Sequence, residues 1–176
     1  MRRFSQKMIL AGWLAAIWAL FPGDFSSGLE RGGPPERKIA KGLFLVADPR
    51  LADLNFRESV VLIVRHGSDG TIGVIINRPT AEPLSGLRDL PLPGTAPGFL
   101  FFGGPVSPDR VSFLVQTGHP VSESAVLEEV YFTFDPAKIP GLLKESKRFR
   151  VYVGYAGWGP GQLEGELNRG DWRLLP

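Results

Sequence analysis

His66, Ser68 and Asp69 lie within four positions of one another and are the residue types of a hydrolase triad, in which a base takes the hydroxyl proton and a carboxylate orients the base. They fall on the stretch HGSDG between two β-branched runs, and side chains that close along a turn diverge into solvent instead of converging. Residues 154–167, GYAGWGPGQLEGEL, run from a strand through glycines into a helix. Gly157, Gly159 and Gly161 could let backbone N–H groups reach a phosphate at a helix N-terminus. The spacing is neither GxGxxG nor that of a P-loop, and Glu164 and Glu166 already place carboxylates in the first turns, which favours a structural turn. His66 and His119 each sit in a turn without a ligand-spaced carboxylate, so no metal site is expected. Glu128 and Glu129 are adjacent and would face opposite sides of a strand, so they do not form a working carboxylate pair. Catalytic residues and cofactors are accordingly expected to be absent. What remains is a cleft for a small ligand, formed by Tyr155, Trp158 and Gln162 together with Asn77 and Arg78, polar residues at a strand end.

Composition narrows the classes further. The 176 residues suffice for one domain with a true core, and 43% hydrophobic with 22% charged residues is ordinary for a globular chain. Cysteine is absent, which removes disulfides, iron–sulfur clusters, thiolate zinc and cysteine nucleophiles. The 22 glycines and 16 prolines favour many short strands over long helices. The net charge of +2 is unevenly placed: residues 1–41 carry seven basic and three acidic side chains, whereas residues 42–176 carry thirteen basic and fifteen acidic, a net of −2. A nucleic-acid partner is therefore not expected, because phosphate neutralisation needs a cationic face on the folded part, and the one local cluster, Lys144, Lys147, Arg148 and Arg150, suits a solvated helix end.

These side chains must be positioned by the elements around them. Residues 43–47 read as a short strand, and 59–65 and 71–77 as a hairpin closed by a five-residue loop, both strands apolar enough to be buried on two faces. A weakly helical segment is expected at 84–90, strands at 98–102, 111–116 and 130–134, a helix at 139–147, a strand at 149–155, a helix at 160–168 and a closing strand at 172–175. Strands outnumber helices without regular alternation, which gives an α+β fold with a mixed sheet.

The order and spacing of GLFLVA at 42–47, NFRESVVLIV at 55–64, GVIINRP at 73–79, FGGPV at 102–106 and GYAGWGPGQLEGEL at 154–167, closed by Gly170 and Trp172, resemble the YqgE/AlgH family of bacterial proteins. The resemblance implies a single α+β domain whose mixed, bifurcated β-sheet curls into a pseudo-barrel with flanking helices. It also implies a link to the regulation of alginate production, since members are often labelled transcriptional regulators. It supplies no catalytic residue and no cofactor.

The expected organisation is an export signal or membrane anchor over residues 1–28, a linker over 29–40 and the family-like domain over 41–176. Arg2, Arg3 and Lys7 precede an apolar run at residues 8–21 that is too short to cross a bilayer upright, followed by small residues. Export or inner-membrane tethering is expected if Met1 is the true start, with membrane contact through residues 8–21 only. Family members begin just before the first strand, which implies the cytoplasm instead. The expected function is that of a non-enzymatic regulatory or binding module acting through protein or small-ligand contacts. Two alternatives stand beside it: an enzyme with a cleft near residues 154–167, and a transcriptional regulator, for which direct DNA binding is disfavoured by the charge of the folded part.

Overall fold

The two β-branched runs form the centre of the molecule. In a computed structural model that describes residues 38–87, 89–92, 96–118, 125–144 and 146–176, they are β2 (Val60–Gly67) and β3 (Gly70–Ile75), an antiparallel pair. Val61, Leu62, Ile63 and Val64 are all buried, as strands apolar on both faces require. The expected five-residue loop shrinks to a two-residue turn at Ser68 and Asp69. Gly67 pairs with Gly70, and the ladder is continued outward by His66 opposite Thr71, whose Nδ1 and Oγ1 are 2.8 Å apart.

The remaining strands are β1 (Phe44–Ala47), β4 (Pro79–Pro83), β5 (Phe99–Phe102), β6 (Val106–Thr117), β7 (Ala125–Leu127), β8 (Val130–Thr133), β9 (Ser146–Trp158) and β10 (Trp172–Leu175). They make one mainly antiparallel sheet in the order β10-β1-β2-β3-β9-β6-β8-β7, with the terminal strands of this path unpaired to each other, so the sheet is not closed. Strand β9 forks it. One edge of β9 pairs with β6, while the other pairs with β3 near its C-terminal end and with β5, in parallel, near Tyr152. The fold is α+β, and among the described residues the one domain has two short α-helices, α1 (Ile139–Lys144) and α2 (Gln162–Asn168).

Several boundaries differ from those expected. The helix at 139–147 ends at Lys144 and the chain is in β9 from Ser146, because pairing with β6 at Thr117 outweighs the local helical pattern. The helix at 160–168 starts at Gln162, since Gly161 is in the left-handed region at φ 74°. Only a 3-10 turn at Leu84–Gly86 stands where a weak helix is expected. Strand β6 begins five residues early, at Val106. Strands β4 and β7 went unread: β4 has a proline at each end and pairs with β5 alone, as an edge strand permits, and β7 has three residues. Ile39, assigned to the linker, packs on the core. The apolar run at 8–21, the rest of the linker up to residue 37, and His119 lie outside the described residues.

Helix α2 lays Leu163 on one side of the sheet with Leu45, Val61, Ile63, Ile75, Trp158 and Trp172. Helix α1 covers Phe113, Val115 and Val151 with Ile139. The opposite side of β2 and β3 presents Leu62, Val64 and Val74 toward Tyr152, Phe101 and Phe132. There Ser112 and Tyr152, directly paired across β6 and β9, are fully buried, with the Tyr152 hydroxyl beside the Arg150 guanidinium. Burial pushes the Tyr152 hydroxyl up to about 12 from its ordinary 10.0, with the Arg150 charge working in the opposite direction. A phenol harder to ionise when folded favours the native state up to the ordinary value, and loses that advantage as pH rises through the folded one. Stability is therefore expected to fall between about pH 10 and about pH 12, by at most roughly 2–3 kcal/mol. In urea titrations Tyr152→Phe should flatten this fall, since the titrating hydroxyl is removed. An unchanged alkaline slope would refute the assignment.

Candidate functional site

Four of the five residues singled out as a cleft belong to one connected framework. Asn77 imitates a strand partner: its Oδ1 accepts from the Val60 N–H at 2.9 Å and its Nδ2 donates to the Glu58 carbonyl at 2.9 Å. The two terminal nitrogens of Arg78 donate to the carbonyls of Asn55 and Arg57. Together they hold the loop at 55–58, in which Glu58 takes the left-handed conformation at φ 59°. The residue between the two carbonyls, Phe56, stacks on Trp158 at 5.9 Å and meets Trp172 edge-on at 5.5 Å.

Behind the rings stands Glu166 of α2. Its Oε2 accepts both indole N–H groups, Trp158 and Trp172, at 2.8 Å each, and its Oε1 accepts from Gln162 Nε2 at 2.9 Å. The other end of the Gln162 amide accepts the Gly159 N–H at 3.1 Å, so a backbone donor that an anion would use at the glycine turn is already taken. Glu166, expected to compensate the helix end, instead ties α2 to β9 and β10. Trp158 is 5% exposed. The hydrolase-type residues also separate: His66 bonds Thr71, while Asp69 pairs with Arg65 at 3.0 Å on the surface. Among the described residues no three His, Asp or Glu side chains are grouped to hold a metal ion.

The fifth residue, Tyr155, leads elsewhere. It is half-buried where two adjoining clefts meet. The smaller, about 330 Å³, is lined by Arg65, Asp69, Thr71, Val106, Gly157 and Trp158 besides Tyr155. The larger, about 660 Å³, has an apolar side of Val64, Ile72 and Val126, an aromatic side of Phe132, Phe134 and Tyr155, and three cations, Lys41, Arg65 and Arg110. The rings are mutually edge-on, with Phe134 at 5.0 Å from Phe132 and 5.7 Å from Tyr155. The Arg110 guanidinium lies 4.0 Å above the Phe134 ring.

Both arginines reach this groove through breaks in the ladder. Between Ile63 opposite Gly73 and Arg65 opposite Ile72, β2 gains one residue, and Val64 and Arg65 both line the groove. Between Val106 opposite Tyr155 and Val111 opposite Val153, β6 spans five steps against two on β9, so residues 107–110 bulge out, with Ser107 at φ 48°. Arg110 sits at the end of that excursion. Sequence reasoning missed Lys41, Arg65, Arg110, Phe132 and Phe134. The one available signal was the arginine ending an otherwise apolar run, SVVLIVR.

Comparison with known proteins assigns the family. The family model described as AlgH-like, DUF179, matches residues 44–176. UPF0301 proteins of Streptomyces coelicolor and Streptomyces avermitilis are 40% and 38% identical over 151 and 154 residues, each alignment covering 81% of this chain and 78% of the relative. Among solved structures, a Corynebacterium diphtheriae protein matches with a TM-score of 0.66 and 28% identity, over 84% of this chain and 78% of that one. The solution structure of AlgH from Pseudomonas aeruginosa matches with a TM-score of 0.63 and 30% identity, over 84% of this chain and 81% of its own. The family model and these relatives together show that the chain belongs to the AlgH-like UPF0301 family.

Proposed function

We propose that the protein is a non-enzymatic binding module that receives its ligand or a partner's side chain in the groove beside Tyr155. One observation supports this above others. Two separate bulges, in β2 and β6, each give up ladder pairing and each deliver a guanidinium to the same groove. Such irregularities concentrate where a side chain must be re-aimed. The groove also combines an apolar side with a few polar groups, the usual make-up of a ligand site. In this reading the sheet curls into a pseudo-barrel whose mouth, between β2–β3 and β7–β8, is the groove.

A regulatory role would then follow from ligand-dependent contacts and not from direct DNA binding. Within the Lys144–Arg150 cluster, Arg150 is engaged elsewhere, donating to the Ile76 carbonyl at 3.1 Å and lying over the Phe101 ring. Residues 8–21 would export or tether the domain if translation starts at Met1; the alternative, drawn from the family resemblance, is a cytoplasmic protein.

A fragment screen by NMR, with anionic, cationic and neutral members, tests the module. Binders are expected to shift the amide signals of Val64, Arg65, Ile72, Phe132 and Tyr155. Shifts confined to other surfaces, or no binder at all, would discard the groove as the site.

A further inference from the structure

Resting on the groove being the binding site, we infer that its ligand is a small planar aromatic molecule carrying an acidic group, phosphate or carboxylate. Two features of the lining ask for the two halves of such a molecule. The charged half meets Lys41, Arg65 and Arg110, with Asp69, at the adjoining cleft, the single acid on either lining. That acid offsets only Arg65, through an ion pair in which both side chains are more than half exposed and which contributes little. The groove is thus locally cationic on a folded part whose residues 42–176 sum to −2. Arginine forks match carboxylate and phosphate oxygens in pairs, which lysine alone does not.

The flat half meets Phe132, Phe134 and Tyr155. The Arg110 guanidinium lies over Phe134 at 4.0 Å, and a planar cation of this kind can also stack on the ring of a ligand. Volume agrees: about 660 Å³ is in the range of sites for compact organic molecules.

An extended peptide is a poorer fit. Main-chain recognition needs an unpaired strand edge, and β2, β3, β8 and β9, which supply most of the lining, each have strands on both edges. Inorganic phosphate would leave the aromatic side unused, and a neutral ring would leave the three cations unused.

The test is calorimetric titration of the full chain with four probes: 1-naphthyl phosphate, 2-naphthoate, 2-naphthol and inorganic phosphate. At least one of the two aryl anions is expected to bind ten times more tightly than both 2-naphthol and inorganic phosphate, and their ratio tells which acidic group is preferred. Arg110→Ala and Arg65→Ala should each weaken that binding about tenfold, while Arg110→Lys should restore less than half of the loss, because it keeps charge without the stacked plane. A melting temperature within a few degrees of the parent's shows each variant to be folded, and Arg148→Ala, on an exposed site away from the groove, should leave binding unchanged. If 2-naphthol binds at the groove as tightly as the anions, the acidic requirement is wrong while the groove survives as the site. If neither aryl anion binds, or if the arginine variants bind as the parent does, the inference is overturned.

Discussion

Glu166→Ala is expected to cost about 3–4 kcal/mol of folding free energy and to lower the melting temperature by roughly 10 °C, because one carboxylate satisfies three donors at once. Two of these are indole N–H groups on Trp158 and Trp172, both nearly buried, and truncation leaves them without their acceptor. Hydrogen bonds to a charged acceptor contribute more than neutral ones, and an unmet buried donor costs its full desolvation. Glu166→Gln keeps a carbonyl for the indoles but forfeits the charge and sets an amide against Gln162 Nε2, so it should lose about half as much. Urea unfolding followed by tryptophan emission measures both. A loss below about 1 kcal/mol for the alanine variant would mean that solvent replaces the carboxylate and that Glu166 is not the tie between α2, β9 and β10. The effect should spread, because Trp158 and Trp172 also hold Phe56 and, through it, the loop that Asn77 and Arg78 clasp. Faster amide exchange at 55–58 in the Glu166→Ala variant would show that spread.

The second large effect is expected at Gly154. This residue lies inside β9 with φ 69°, opposite the excursion of β6, and a Cβ there would stand 2.2 Å from the Gly104 carbonyl oxygen. The approach is reciprocal: a Cβ on Gly104 would stand 2.3 Å from the Tyr155 carbonyl carbon. The glycines of FGGPV and GYAGW are therefore two halves of one backbone crossing. Gly154→Ala adds about 1–2 kcal/mol of left-handed strain to an overlap with main chain that is relieved only by moving the connection between β5 and β6, at Gly104, away from β9. A loss above about 4 kcal/mol is expected, enough to abolish cooperative folding in a domain of ordinary stability. Gly161 provides the control. Its φ of 74° is similar but open space surrounds it, so Gly161→Ala should cost only the dihedral strain, about 1 kcal/mol. Circular dichroism melts of the two variants decide the matter, and equal losses would show that contact at the crossing contributes nothing.

The contrast between the two glycines shows why much of the site was hidden. Both stand in the same motif and look alike in one dimension, yet one touches a carbonyl fifty residues away in the chain and the other touches nothing. The same holds for the framework residues. Asn77, Arg78, Trp158 and Gln162 stood out as polar and aromatic residues beside turns, but their partners lie in the 55–58 loop and on Glu166, so their roles follow from pairing that local pattern does not encode. Arg65 and Arg110 were legible only as charges near apolar runs, since what aims them is a slip of register between strands distant in sequence.

Local pattern by itself determined that the runs at 59–65 and 71–77 pair as a hairpin buried on two faces, that strands dominate over a few short helices, and that the motifs of one family run in order along residues 41–176, because burial period, turn residues and motif order are properties of neighbouring residues. Tertiary structure alone decided how far β6 and β9 extend, where their ladder breaks, and which cations face the rings of Phe132, Phe134 and Tyr155. Register is a long-range quantity: shifting a strand by one residue reverses every side chain along it, and the partner that selects the register can be anywhere in the chain.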